Sequence, residues 1–152
     1  MIKIMFVCFG NICRSPMAEF VMKHLVKQAG LDGKVLIESA GTDPSVGTPM
    51  SEGTRRELRA NNIAFNSRKT SAQFTKADYR TFDYIVGMDR NNVLECDNIC
   101  GGDPDNKIYL LLSFAGENRS VADPWYTDDY ETTYVDVLKG CTALLEVIKR
   151  EV

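Results

Sequence analysis

A chain of 152 residues is long enough to bury one sizeable core. It carries 18 Lys and Arg against 21 Asp and Glu, a net charge of −3. That balance argues against a nucleic-acid partner or an anionic-membrane surface, so an anionic ligand would need a few aimed donors. No apolar run is long enough to span a bilayer and the first residues lack a cleavage pattern, so no membrane partner and a cytoplasmic location are expected. Five cysteines and one histidine, with no pair at zinc-ligand spacing, argue against a disulfide framework and against a metal site; no cofactor is expected.

In chain order, residues 2–8 form an apolar run rich in Ile, Val and Phe, a buried strand. Pro16 opens a helix near 16–29, with Met17, Phe20, Val21, Leu25 and Val26 on its apolar face and Gly30 ending it. Residues 35–37 form a second short strand. Ser51 caps a helix near 52–61, and 75–81 form a short helical turn. A third strand covers 82–88, and Asp89 caps a helix near 90–96. The fourth strand covers 108–112. Thr127 or Asp128 starts a last helix that runs to about Lys149. Strands alternating with helices predict an α/β fold over 1–152, a single domain built on a four-stranded parallel sheet flanked by helices on both faces. In such sheets a ligand sits beyond the carboxyl ends of the strands, where the loop after the first strand lies.

That loop reads Cys8-Phe9-Gly10-Asn11-Ile12-Cys13-Arg14-Ser15. Five residues between Cys8 and Arg14 suffice to curl the backbone round a tetrahedral oxyanion, so that successive N–H groups of residues 9–15 form an anion nest. The helix beginning at Pro16 adds its positive end. Gly10 is expected to permit a geometry that a side chain would forbid, and Asn11 to tolerate a left-handed conformation while tying the loop. Arg14 offers a planar fork for two phosphate oxygens. These groups would hold Cys8 as a thiolate, the attacking form, and Ser15 can donate to its sulfur. The alternative is a strand-to-helix turn with an incidental buried cysteine. A nucleotide P-loop would need Gly-Lys-Ser/Thr, which is absent.

A thiolate that attacks a phosphate monoester needs an acid for the leaving oxygen. Asp123, in Asp123-Pro124-Trp125-Tyr126, is the candidate. Pro124 restricts it to extended geometry, and Trp125 and Tyr126 could wall the site against an aromatic leaving group. The same Asp-Pro reads equally as a cap for the last helix.

Residues 7–16, Ser39-Ala40-Gly41-Thr42, Phe82-Asp83-Tyr84-Ile85 with Met88-Asp89, and Asp123-Pro124-Trp125 together resemble the low-molecular-weight protein tyrosine phosphatases, over nearly the whole chain. The resemblance implies phosphotyrosine-containing protein substrates, binding of phosphate or similar oxyanions, and a cysteinyl-phosphate intermediate. It implies Cys8 as nucleophile, Arg14 as transition-state clamp and Asp123 as general acid. Asn11, Ser15 and Ser39 would support the loop, Asp89 would orient Arg14, and Phe9 would join Trp125 and Tyr126 in the substrate wall. It implies a reversible Cys8–Cys13 disulfide under oxidation, against a plain packed role for Cys13. Three departures stand out: Phe9 replaces a common leucine, residues 43–47 lack the aromatic often found there, and the stretch 66–69 lacks a frequent histidine.

Two other functions compete. A thioredoxin-coupled arsenate reductase shares the fold and needs two relay cysteines, for which Cys96 and Cys100 are spaced on one helix face. A non-catalytic phosphotyrosine-binding module would normally lack Cys8.

Overall fold

A computed structural model describes residues 1–152. Strand β1 (Ile2–Cys8) is followed by α1 (Arg14–Gln28), β2 (Val35–Gly41), α2 (Glu52–Ala60), α3 (Lys76–Thr81), β3 (Tyr84–Gly87), α4 (Arg90–Cys100) and β4 (Ile108–Leu110). A 3₁₀ turn over Leu111–Ala115, a one-turn helix α5 (Pro124–Thr127) and the long α6 (Tyr130–Lys149) complete the chain. No helix is long and apolar enough to cross a membrane.

The four strands form one parallel sheet in the order β2-β1-β3-β4. Alternation along β1 explains why both faces are covered. Ile4, Phe6 and Cys8 point into a core of 24 residues shared with α1 and α6, while Met5 and Val7 point into a smaller core with Phe74, Tyr79 and Cys96. Burying each large apolar side chain contributes about 1.5–3 kcal/mol, so the two-sided strand anchors the fold. The chain leaves β1 towards β2 on one side and later returns to β3 on the other. The carboxyl ends of β1 and β3 therefore flank a switch in strand order, where a crevice opens.

Several boundaries differ from the sequence reading: β2 runs four residues further, to Gly41, while β3 and β4 are shorter than expected. Helix α1 begins at Arg14, so Pro16 lies within the first turn rather than opening it; its missing N–H would have had no partner there in any case. Helix α4 runs four residues further, to Cys100, before Gly101 takes a left-handed conformation. The last helix does not start at 127 or 128. The short α5 ends at Asp128, left-handed at φ 55°, and α6 starts afresh at Tyr130 under an Asp129 cap.

Candidate active site

The loop between β1 and α1 is held by its carbonyls. Cys8 O accepts from Thr42 N (2.9 Å), Phe9 O from Asp43 N (3.1 Å), Ile12 O from Ser51 N (2.9 Å) and Cys13 O from the Thr54 hydroxyl (3.1 Å). All peptides are trans, so each carbonyl directed outwards turns the next N–H inwards. The N–H groups of Phe9, Gly10, Cys13 and Arg14 are thereby aimed at the loop's centre, and Asn11 N–H points at Cys8 Sγ, 3.3 Å away. The outer partners of these four carbonyls give the loop its inward-turned shape.

The residue that needs a left-handed backbone is Asn11, at φ 55°. Gly10 does not: its φ lies outside that region, and a Cβ there would sit in ordinary contact, 3.9 Å from Ile12. The glycine the loop requires is Gly41 at the end of β2. A Cβ at Gly41 would fall 2.6 Å from Phe9 O and 3.2 Å from Asn11.

Behind the loop runs a hydrogen-bond chain with a defined direction. Buried Glu19 on α1 accepts from the Ser39 hydroxyl at 2.6 Å. A carboxylate only accepts, so Ser39 gives its single proton to Glu19 and must itself accept from Asn11 Nδ2, at 3.0 Å. The second hydrogen of that amide goes to Ser15 Oγ (2.8 Å), and Asn11 Oδ1 accepts from Ala72 N (3.0 Å). Ser15 Oγ, which accepts from Asn11, lies 2.9 Å from Cys8 Sγ and 3.4 Å from Ala40 O, so its one proton has two acceptors, of which the sulfur is the nearer. Lys23 (2.6 Å) and Lys69 (3.3 Å) compensate the Glu19 charge, and Lys69 also donates to Ser39 O at 3.1 Å. Lys69 thus supports the loop from the stretch where the sequence lacks a histidine. The sequence reading missed Glu19 and Lys69. The available signal was a lone carboxylate inside the apolar run Met17–Met22.

Arg14 is buried, and its guanidinium is gripped from three sides. Nη2 lies 2.9 Å from Asp89 Oδ2 and 3.4 Å from Asp123 Oδ2, and Nη1 donates to Val121 O at 3.2 Å. Asp123 caps the one-turn α5 and not the last helix, whose cap is Asp129. Its Oδ1 caps α5 by accepting from Trp125 N at 3.1 Å, while Oδ2 faces Arg14. Asp89 likewise caps α4 through a reciprocal pair with Asn92.

A cavity of about 300 Å³ stands over this floor, lined by Cys8, Phe9, Ile12, Cys13, Arg14 and Asp123 and rimmed by Asp43, Trp125 and Tyr126. Phe9, Trp125 and Tyr126 are 60%, 72% and 85% exposed, so the mouth is walled by aromatic surface that faces solvent. Cys13 sits at the cap of α1 with its sulfur 3.6 Å from the Tyr130 hydroxyl, and burial pushes its thiol up.

The profile of the low molecular weight phosphotyrosine protein phosphatase family matches residues 3–152. The chain belongs to that family. It is 37% identical to the low molecular weight protein-tyrosine-phosphatase YfkJ of Bacillus subtilis over 154 residues, covering 99% of this chain and 98% of the relative. It is 39% identical to PtpA of Staphylococcus aureus over 155 residues, covering 99% and 96%. Among solved structures, YfkJ superposes with a TM-score of 0.94 over 99% of this chain and 96% of that one. SP-PTP of Streptococcus pyogenes, 45% identical, superposes at 0.86 over 96% and 92%.

Cys96 and Cys100 do not join the family's site. Both are buried on the inner face of α4, and burial drives both thiols up. Helix rise puts Cys96 about 10 Å along the axis from Asp89, and Cys100 further still. Neither sulfur lines the cavity over Cys8, and burial disfavours the thiolate that a relay would need.

Proposed function

We propose that this chain hydrolyses phosphotyrosine in proteins through a cysteinyl-phosphate. The observation that carries the reading is the Cys8 sulfur on the floor of an inward-facing N–H ring, with Arg14 and Asp123 converging on the same cavity. The phosphoryl group enters the ring, and three of its oxygens take backbone N–H groups and the Arg14 fork. Cys8 thiolate attacks phosphorus in line. The P–O bond to the phenol breaks, and Asp123 gives its proton to the departing oxygen. Water then attacks phosphorus from the vacated side, Asp123 takes its proton, the S–P bond breaks and inorganic phosphate leaves. Ser15 steadies the sulfur as attacker and as leaving group. Asp89 orients Arg14 so that the guanidinium follows the charge on the equatorial oxygens.

The aromatic rim formed by Phe9, Trp125 and Tyr126 supports an aryl ester over an alkyl one, since a phenyl ring can stack where an alkyl chain cannot. Cys13 is the natural resolving thiol for an oxidised Cys8. Five unpaired cysteines suit a reducing compartment such as the cytoplasm.

The test is hydrolysis of an aryl phosphate by the parent protein, Cys8→Ser and Asp123→Ala. Cys8→Ser is expected to lose turnover, and full activity in that variant would refute the mechanism. Asp123→Ala should lose about 10²–10⁴-fold with phosphate still trapped on Cys8, the usual worth of a positioned acid. Unchanged turnover would leave Asp123 as a cap only.

A further inference from the structure

The acid loop raises a question that the family site does not answer: what holds Asp123 over the phosphate site, when the loop carrying it lies outside the sheet. The two preceding residues have every backbone polar group engaged. Val121 N donates to Met88 O at 2.9 Å, and Val121 O accepts from Arg14 at 3.2 Å. Ala122, the residue directly before Asp123, is held from α6 alone. Its N–H donates to Asp136 Oδ2 at 3.0 Å, and its carbonyl accepts from the Thr133 hydroxyl at 2.8 Å. Thr133 and Asp136 are three apart and therefore share one helix face. Both are buried, Thr133 fully and Asp136 at 6% exposure.

A buried carboxylate is costly without compensation. Here the compensation comes from the same loop: Arg119 Nη2 meets Asp136 Oδ1 at 3.0 Å. Arg119 Nε in turn meets Glu117 at 3.0 Å, and Glu117 pairs with Lys139, one helical turn beyond Asp136. The charges alternate from α6 to the loop and back, so Asp136 ties down the loop at Arg119 and at Ala122. Both attachment points lie on the N-terminal side of Asp123, the nearer directly before it. Neither Thr133 nor Asp136 lines the substrate cavity.

We propose that Asp136 and Thr133 are positioning residues for the general acid, clamping Ala122 so that the Asp123 carboxyl stays within reach of the leaving oxygen. The inference rests on the reading of Asp123 as that acid. It makes a distinction that a merely structural role does not. A displaced acid slows esters whose leaving group must be protonated and spares those whose leaving group departs as a stable anion.

The experiment compares kcat/KM for phenyl phosphate and for 2,4-dinitrophenyl phosphate in the parent, Asp136→Asn, Thr133→Val and Thr133→Ser. In Asp136→Asn and Thr133→Val the phenyl ester is expected to slow by about 10–100-fold, and the dinitrophenyl ester by less than about twofold. Inhibition by inorganic phosphate, which has no leaving group to protonate, should change by less than about twofold. Thr133→Ser keeps the hydroxyl and should restore the phenyl ester. An equal loss on both esters, or no loss on the phenyl ester, overturns the clamp. If Asp136→Asn does not fold, the Thr133 pair decides by the same criterion. An Asp123→Ala control with no leaving-group dependence would reject the acid assignment and the clamp together, a pattern distinct from failure of the clamp alone.

Discussion

Single side chains in this protein act mainly by fixing the direction of protons. Glu19 touches no part of the substrate cavity, yet by accepting from Ser39 it fixes that hydroxyl, which together with the Ala72 N–H orders the Asn11 amide and leaves the Ser15 proton to Cys8 or to Ala40 O. Removing one member should therefore be felt at the sulfur. Ser39→Ala strands one hydrogen of the Asn11 amide and frees that amide to rotate. The expected loss is about 1–2 kcal/mol of sulfur stabilisation, roughly tenfold in kcat/KM and in the rate of Cys8 alkylation by iodoacetate. Alkylation at the parent rate would show that the chain does not govern the nucleophile. Asn11 also shows how a sequence signal can be read on the wrong residue. Both Gly10 and Asn11 suit a tight loop, and the backbone places the left-handed conformation on the asparagine.

At the level of elements, the nucleophile and the acid are held by different parts of the fold. The Cys8 loop hangs between β1 and α1, braced by the segments after β2 and at the start of α2. The acid loop is braced by α6. Their alignment depends on how α6 seats on the sheet, and that seat is close. Gly140 of α6 lies against Leu111, so a Cβ at that position would overlap the leucine side chain. Gly140→Ala should force α6 outwards at a cost of about 1–3 kcal/mol. For a chain of this size that lowers Tm by roughly 2–4 °C per kcal/mol in a thermal melt. An unchanged Tm would mean that Leu111 yields without strain. Tyr130 makes a comparable contact at the other end of α6, where its ring fills the space left by the missing side chain of Gly53.

Taken whole, the molecule is acidic and still builds an anion site, because its donors are local and buried. Arg14 is the only side-chain cation in the floor of the cavity, and backbone N–H groups supply the rest. Much of the remaining charge serves stability. Hydrogen bonds from the Thr132 side chain and backbone hold the Asp129 carboxyl, which caps α6, below its usual range. Lys139 first and Arg119 next do the same for Glu117. A depressed carboxyl contributes stability that is present above its unfolded value and is lost as pH falls through its folded value. Stability should therefore hold from neutral pH down to about pH 4, near the ordinary carboxylate range, and decline below it. Asp129→Asn, which can still cap but does not titrate, should show a shallower decline in Tm below that point. An identical decline in both proteins would remove Asp129 from the account.

What the amino-acid order determined unaided is contiguous. The strand-helix alternation, the parallel sheet and the Cys8–Arg14 loop were legible because periodicity and loop chemistry act within eight or so neighbouring residues. Asp89 and Asp123 were legible as helix caps and, through the family resemblance, as members of the site. Their shared grip on Arg14, 75 residues from Asp89 in the chain, was not. Nor were Glu19, Lys69, Gly41, Thr133 and Asp136. Each acts through a hydrogen bond or a close approach to a group distant in sequence, and a buried carboxylate on a helix has no local pattern that names its partner. Only the tertiary structure, by bringing α6 and the end of β2 against the two loops, decided which of these residues face the chemistry.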